Sequence, residues 1–390
     1  MPKRHFSEEH ELFRKQVRAF VEQELLPHAD AWEAAELFPR SVFARAGELG
    51  ILGAHYPEAV GGGGGDFWFS VAKAEELSAC GSAGVALSLL VQSDMATPIL
   101  WKLGSDDQKR AFLEPALRGE KIGAIGVTEP NAGSDVSGIR TTARLDGDHY
   151  VINGSKTFIT NGTRCDFITL LAKTNPEAGH HGISMFTFPT DTPGFSVSKK
   201  LKKLGNIASD TAELFFDDCR IPRACLLGQE GMGFIYLMQN FQSERLIGAV
   251  SSLSSARRAL DRSVAFGRDR SAFGKPLIKR EVWQHKFVDL YTRLEAAQAL
   301  TYKACEHYNE DVYEQGGMPS LETGKLVSMS KLLAGDVVDD VMDACMQFHG
   351  GMGYLEDFWV ARAWRDARLL RIGGGASEVL RYLIAKVMNF

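Results

Sequence analysis

From Ser7 to about Gly119 the apolar residues recur at helical spacing. Ser7 is placed to cap a first helix, with Glu8, Glu9 and Glu11 in its opening turn, where acids complement the positive end of the helix dipole. Phe13, Val17, Phe20, Val21 and Leu25 then form one stripe, and Pro27 is expected to end it. From about Lys121 to about Gly228 the period changes to two. Segments 150–154, 166–171, 182–188 and 212–216 read as strands, with hairpin-type turns expected at Asp146-Gly147-Asp148 and Asn153-Gly154. No long helical segment interrupts them, so a compact antiparallel sheet or barrel is expected. From Gly231 to Phe390 the segments are long, helical and rich in i, i+4 apolar repeats. Breaks fall near Gly274-Lys275-Pro276, Gly316-Gly317-Met318-Pro319 and Gly350-Gly351. The pattern predicts an α+β multidomain chain: a helical domain over 1–120, a β domain over 121–230 and a helical bundle over 231–390.

Composition narrows the class. A chain of 390 residues exceeds one ordinary hydrophobic core, in keeping with two or three domains. Hydrophobic content of 45% with 24% charged residues is that of a soluble globular protein. A net charge of −5, with no basic tail, gives no electrostatic case for nucleic acid. Cys80, Cys165, Cys219, Cys225, Cys305 and Cys345 have no metal-ligand spacing and read as free thiols of a reducing compartment. The N-terminal Met1-Pro2-Lys3-Arg4-His5-Phe6-Ser7 has no apolar signal core, and no window is read as a membrane span. A cytoplasmic location is expected, or the mitochondrial matrix in a eukaryote. The glycine run 61–65 reads as a flexible surface loop rather than a phosphate cradle, since no Lys-Ser or Lys-Thr pair follows it. His180-His181 reads as polar loop, and no metal site is expected.

The chemistry-bearing segments lie at the domain edges. Val127-Thr128-Glu129-Pro130-Asn131-Ala132-Gly133-Ser134-Asp135 has the small and hydroxyl residues of a turn whose N–H groups and hydroxyls can close on a planar or anionic ligand. Downstream follow Lys156-Thr157-Phe158-Ile159-Thr160-Asn161-Gly162 and Ala208-Ser209-Asp210-Thr211-Ala212-Glu213-Leu214. Then come Arg270-Ser271-Ala272-Phe273-Gly274-Lys275-Pro276-Leu277 and Gln347-Phe348-His349-Gly350-Gly351-Met352-Gly353-Tyr354. In this order and spacing the segments resemble the acyl-CoA dehydrogenase family of flavoproteins, from about Phe6 to about Met388. The resemblance implies the same helical–β–helical architecture, FAD as cofactor, an acyl-CoA substrate, an electron-transfer flavoprotein as acceptor and a homotetramer.

The resemblance also implies the chemistry. A carboxylate removes the α proton of a thioester while hydride leaves the β carbon for flavin N5. Such a base needs a dry pocket, which raises its basicity, and donors to the thioester oxygen. Many members carry that carboxylate in a Tyr-Glu-Gly-Thr segment near the C-terminus. Here the matching segment is Ile372-Gly373-Gly374-Gly375-Ala376-Ser377-Glu378, with Gly374 in place of the Glu. Members such as isovaleryl-CoA and long-chain acyl-CoA dehydrogenases carry it instead in a Glu-Arg-Leu sequence, and this chain has Phe241-Gln242-Ser243-Glu244-Arg245-Leu246. Helical spacing puts Leu237, Phe241, Ile247 and Gly248 on the face of Glu244. Glu244 is therefore the expected base. Arg245, Phe241, Gln242, Gly374 and Gly375 are expected beside the acyl-CoA, and the base placement is that of members taking branched or longer chains. Segments 91–98, 241–246 and 372–378 further resemble citronellyl-CoA dehydrogenases.

The flavin contacts carry over residue by residue. Ile125, Gly126, Val127, Thr128, Gly133 and Ser134 resemble the segment over the isoalloxazine edge. Thr128 would donate to the ring and Ser134 would meet cofactor phosphate or CoA. Phe158, Ile159 and Thr160 resemble the segment on the other side, with Phe158 where many members have Trp. Arg270 and Phe273 resemble residues that reach the FAD of a neighbouring subunit, the arginine fork suiting pyrophosphate. Gln347, Gly350 and Gly351 resemble the adenine-end segment. Glu281 and Ala376 stand where the family commonly has FAD-touching Gln and Thr, and Ser377 and Glu378 follow; an acidic Glu281 would repel pyrophosphate unless turned away. Two alternatives stay open: an acyl-CoA oxidase using O2 on the same scaffold, and a non-catalytic binding or assembly protein.

Overall fold

The computed structural model describes residues 5–390; Met1–Arg4, part of the segment read for a signal sequence, lie outside the described residues. Ser7 caps the helix Glu8–Phe20, and Phe13, Val17, Phe20, Val21 and Leu25 are all buried. Pro27 does not end the chain's helical course. A π turn, Val21–Leu25, widens the helix ahead of it, a 3-10 turn spans Leu26–His28, and the helix Ala29–Ala34 restarts beyond. The glycine run is at the surface but is not a free loop. The N–H groups of Gly62, Gly63, Gly64 and Gly65 donate to the carbonyls of Pro57, Gly53, Tyr56 and Ala54, and a Cβ at Gly62 would lie 2.2 Å from the Tyr56 oxygen. Glycine is needed there because two backbone segments touch.

One stretch departs from the expectation that no segment has the length for a membrane span. Ala83–Leu103 is long and apolar enough, with mean hydropathy 1.3, but 89% of that window is buried inside the protein. A π turn, Val91–Ala96, and Pro98 break its regularity. Pro98 has no N–H, and the carbonyls before it bond elsewhere. Tyr56 donates to Ser93 O at 2.7 Å, Asn240 Nδ2 to Met95 O at 2.8 Å, Thr169 to Ala96 O at 2.7 Å and Ser243 to Asp94 O at 3.4 Å. The same turn carries Asp94, fully enclosed with Lys73 Nζ at 2.9 Å and His55 Nε2 at 3.9 Å. Burial alone would push the Asp94 carboxyl up; Lys73 and His55 hold it below the usual carboxylate range.

The middle region is a sheet of β1 (Gly123–Gly126), β2 (Thr142–Asp146), β3 (His149–Thr160), β4 (Phe167–Lys173), β5 (Ile183–Pro189), β6 (Phe195–Lys200), β7 (Thr211–Pro222) and β8 (Leu226–Leu227). Their order is β6-β7-β3-β2-β4-β5-β8, with β1 on β4. Most pairs are antiparallel, as the period-two pattern predicts, but β1 runs parallel to β4 and β2 touches β4 in parallel through Thr142 and Lys173. The sheet is therefore mixed, since segment 127–141 crosses back between β1 and β2. Asp146-Gly147-Asp148 does join β2 to β3. Asn153-Gly154 is not a turn: it lies inside β3 at a shift of register against β7, where Gly154 (φ +147°) packs on Thr141.

The third region is helical: Gly233–Asp269, Glu281–Asn309, Leu321–His349, Trp359–Ala367 and Ser377–Val387. Ala249, Leu253, Leu294, Val337, Val341 and Phe348 belong to one buried core between these helices. All six cysteines are buried and unpaired.

Removing one member of the buried Lys73–Asp94 pair leaves the other charge without compensation. Asp94→Ala should destabilise the fold by about 3–5 kcal/mol, read as a lower urea midpoint than that of the native protein. An unchanged midpoint would show the pair to be energetically neutral.

Candidate active site

Two segments of the sheet region meet in a platform. Between Lys156 and Ile159 the β3–β7 ladder shifts register. The freed Thr157 N–H donates to Thr128 O at 2.8 Å, which ties turn 127–135 to β3. Phe158 takes φ +61° and stands 68% exposed. A left-handed aromatic residue held out in water is strained and apolar, a combination that belongs to binding surfaces rather than to packing. Beneath it Lys156 Nζ reaches Glu129 Oε1 at 2.8 Å and Val127 O at 3.0 Å, while Glu129 accepts from the N–H groups of Arg140 and Thr141. Burial would push the Glu129 carboxyl up, but Lys156 and these donors hold it below the usual range. This ion pair fixes the turn. Sequence reasoning assigned it nothing.

Of the residues expected at this platform, Thr128 and Thr160 are half-buried and Gly133 and Ser134 exposed, all open to a ligand. Ile125 is half-buried, whereas Gly126, Val127 and Ile159 are buried in packing, with a Cβ at Gly126 only 2.9 Å from Ile168. A planar ring suits this surface: Phe158 offers an exposed apolar face, and the backbone of Thr128 is tied to its neighbour Thr157.

The second half of the site lies on the Gly233–Asp269 helix. Leu237 and Ile247 are buried, Phe241 and Gly248 half-buried, so the shared face read from spacing exists. Ile125 and Phe241 pack on one core containing Val127 and Leu237, which joins this helix to the platform. Glu244 keeps part of its surface accessible, yet burial pushes its carboxyl up to about 7 despite Arg245 and Lys331, which act to lower it. Gly374 faces it: a Cβ there would lie 3.5 Å from Glu244 Oε1. Positions 244 and 374 thus open on the same small volume from different elements. Arg245 Nε donates to Gly374 O at 3.0 Å, and its guanidinium lies 5.5 Å from the Phe241 ring centre. Gln242 Nε2 donates to Met238 O at 2.8 Å, and its buried Oε1 has no partner and looks toward Gly324.

Lys331, on the Leu321–His349 helix, was missed. Its Nζ donates to Gly375 O at 2.6 Å. A signal existed: Lys331 sits four after Val327, three before Ala334 and seven before Val338, all buried, so it occupies an apolar face.

The remaining expected residues are not brought to this centre within one chain. Arg270 and Phe273 lie around the two-stranded hairpin of Ser271–Ala272 and Lys275–Pro276, Phe273 at φ +49° and 97% exposed. Gln347, Gly350, Gly351 and Glu281 are exposed. Ala376 and Ser377 begin the Ser377–Val387 helix; Ser377 is buried, while Glu378 is exposed and acts electrostatically on Arg371. Among the described residues no hydrogen bond or ring contact joins these groups to the Thr128–Phe158 platform. The rings of His180 and His181 lie 4.1 Å apart at a tilt of 40°, and no metal-holding group of His, Cys, Asp and Glu occurs among the described residues.

Comparison with known proteins places this geometry. Residues 7–120, 124–219 and 231–389 match the models for the N-terminal, middle and C-terminal domains of acyl-CoA dehydrogenases. The long-chain specific acyl-CoA dehydrogenase of Sus scrofa mitochondria is 38% identical, over 98% of this chain and 87% of that protein. A probable acyl-CoA dehydrogenase of Mycobacterium abscessus superposes with a TM-score of 0.92 at 39% identity, covering 98% of this chain and 99% of that one. A glutaryl-CoA dehydrogenase of Mycobacterium smegmatis, solved in complex with FADH2, does so with a TM-score of 0.89 at 27% identity, covering 98% and 95%. With its three domains matched in order and its fold shared throughout, the chain belongs to the acyl-CoA dehydrogenase family of FAD-dependent oxidoreductases.

Proposed function

We propose that this chain dehydrogenates an acyl-CoA thioester at its α,β bond to the trans-2-enoyl-CoA, with Glu244 as the α-proton base. The observation that carries this is a carboxyl raised to about 7 by burial, still accessible, and looking across a side-chain-free turn at Gly374. A base is most effective when its proton affinity lies near the working pH. Arg245 and the glycine turn line the carboxylate and leave one part of it open to a substrate. Thr128, Ser134, Phe158 and Thr160 would hold FAD, which when bound supplies the acceptor for the β hydride at N5. Arg270 and Phe273, with Gln347, Gly350 and Gly351, would complete the cofactor site across a subunit boundary in a homotetramer. Their outward placement supports that reading. An electron-transfer flavoprotein would take the electrons. The base on the Gly233–Asp269 helix favours branched or longer acyl chains.

Glu244→Gln keeps shape and hydrogen bonding but removes the proton acceptor. FAD and acyl-CoA binding should survive, with anaerobic flavin reduction slowed by a factor on the order of 10² to 10⁴. A native rate would place the base elsewhere. Transfer of the electrons to a dye marks a dehydrogenase, rapid peroxide in air an oxidase, and no bleaching by any acyl-CoA a binding protein.

The pH dependence has a definite sign. Only ionised Glu244 accepts a proton, and its carboxyl is raised from 4.5 to about 7. At subsaturating acyl-CoA, flavin reduction should be slow below that pH, rise through it and level off above. A profile flat between pH 5 and 9 (a range on the order of two units either side of the group) would contradict the assignment.

Arg270→Ala should weaken FAD binding and loosen the oligomer together, by equilibrium dialysis and sedimentation. Unchanged FAD affinity would show that Arg270 does not reach the cofactor.

A further inference from the structure

The turn Gly373-Gly374-Gly375 carries no side chain, and Gly374 (φ +65°) and Gly375 (φ +101°) are both left-handed. Such a stretch has much conformational freedom to lose and nothing of its own to pack. Two cations from two helices hold it instead. Arg245 Nε donates to Gly374 O and Lys331 Nζ to Gly375 O, at 3.0 and 2.6 Å.

Lys331 is the unusual member. It is 2% exposed, and among the described residues it forms no ion pair with a carboxylate. A buried ammonium left so is costly, and burial pushes it down to about 8. Arg245 on its own helix and Lys331 on the neighbouring one are the charged groups acting on Glu244, and the turn contributes none. Glu244 is likewise the one acid acting on Lys331.

We propose that Lys331 is a positioning residue for Glu244: its ammonium pins the glycine turn that faces the carboxylate and adds its positive charge to that of Arg245 in favouring the ionised form. Arg245 acts more strongly on Glu244 but bonds Gly374 O, so loss of Lys331 removes the hydrogen bond observed at Gly375 O and the second of the two charges. The catalytic weight of this inference rests on Glu244 being the base, but the electrostatic coupling does not.

The test uses the FAD-loaded protein. The protonated Glu244 carboxyl is followed by its infrared C=O stretch against pH, identified by its loss in Glu244→Gln. Lys331→Gln keeps a donor for Gly375 O and removes the charge. Its midpoint should rise by about one pH unit, the lower end of what a nearby opposite charge imposes. Lys331→Arg keeps the charge and should titrate within a few tenths of the native midpoint. Stopped-flow flavin reduction with butyryl-, octanoyl- and isovaleryl-CoA should show the same displacement, with the high-pH plateau retained in Lys331→Gln. A Lys331→Gln protein that titrates like the native one, or loses rate equally at every pH, would reduce the lysine to a structural role and overturn the proposal. If Glu244→Gln reduces flavin at the native rate, the base assignment fails while the infrared result still decides the coupling.

Discussion

A break in the buried helix around Pro98 fixes where the helix carrying Glu244 sits. The π turn ahead of Pro98 turns four carbonyls outward, and side chains from three other segments take them up: Tyr56, Thr169, and Asn240 with Ser243. Asn240 and Ser243 lie four and one residues before Glu244. The helix carrying Glu244 is thus keyed to the first helical region by polar contacts with definite directions, which apolar packing alone does not provide. The buried Lys73–Asp94 pair sits in the same turn and stiffens it. Core packing of Ile125 and Phe241 then joins the turn after β1 to the helix of Glu244.

The electrostatics follow a common logic at two places. Glu129 is buried with Lys156 in contact and the N–H groups of Arg140 and Thr141 donating to it, so it stays ionised and structural. Glu244 is buried with two cations that spend their hydrogen bonds on the turn opposite rather than on the carboxylate. The first carboxylate is satisfied. The second is compensated by field but left without donors among the described residues, so its proton affinity rises into the range useful for chemistry.

Much of this was legible from residues alone. The change of period near Lys121 and Gly231 located the sheet, and the absence of Glu at 374 pointed to Glu244. What was not legible depended on contacts between distant segments. Asn153-Gly154 has the composition of a turn, but a partner strand made it a bulge. The glycine run looked mobile because its docking on residues 53–57 leaves no local mark beyond the glycines. Parallel pairing of β1 with β4 is invisible to a period-two pattern, which is the same for either direction. Lys331 went unassigned because one cation on an apolar face reads as an exception until the turn it holds is seen.

The left-handed bulge at Phe158 bears on the life of the subunit before it is complete. With Phe158 68% and Phe273 97% exposed, a freshly folded single chain offers water these aromatic faces among others. Neither can retract: one is held by a broken ladder, the other by a two-stranded hairpin. Exposed apolar rings favour association in water, so whatever covers these two faces also bears on how well the polypeptide stays dispersed.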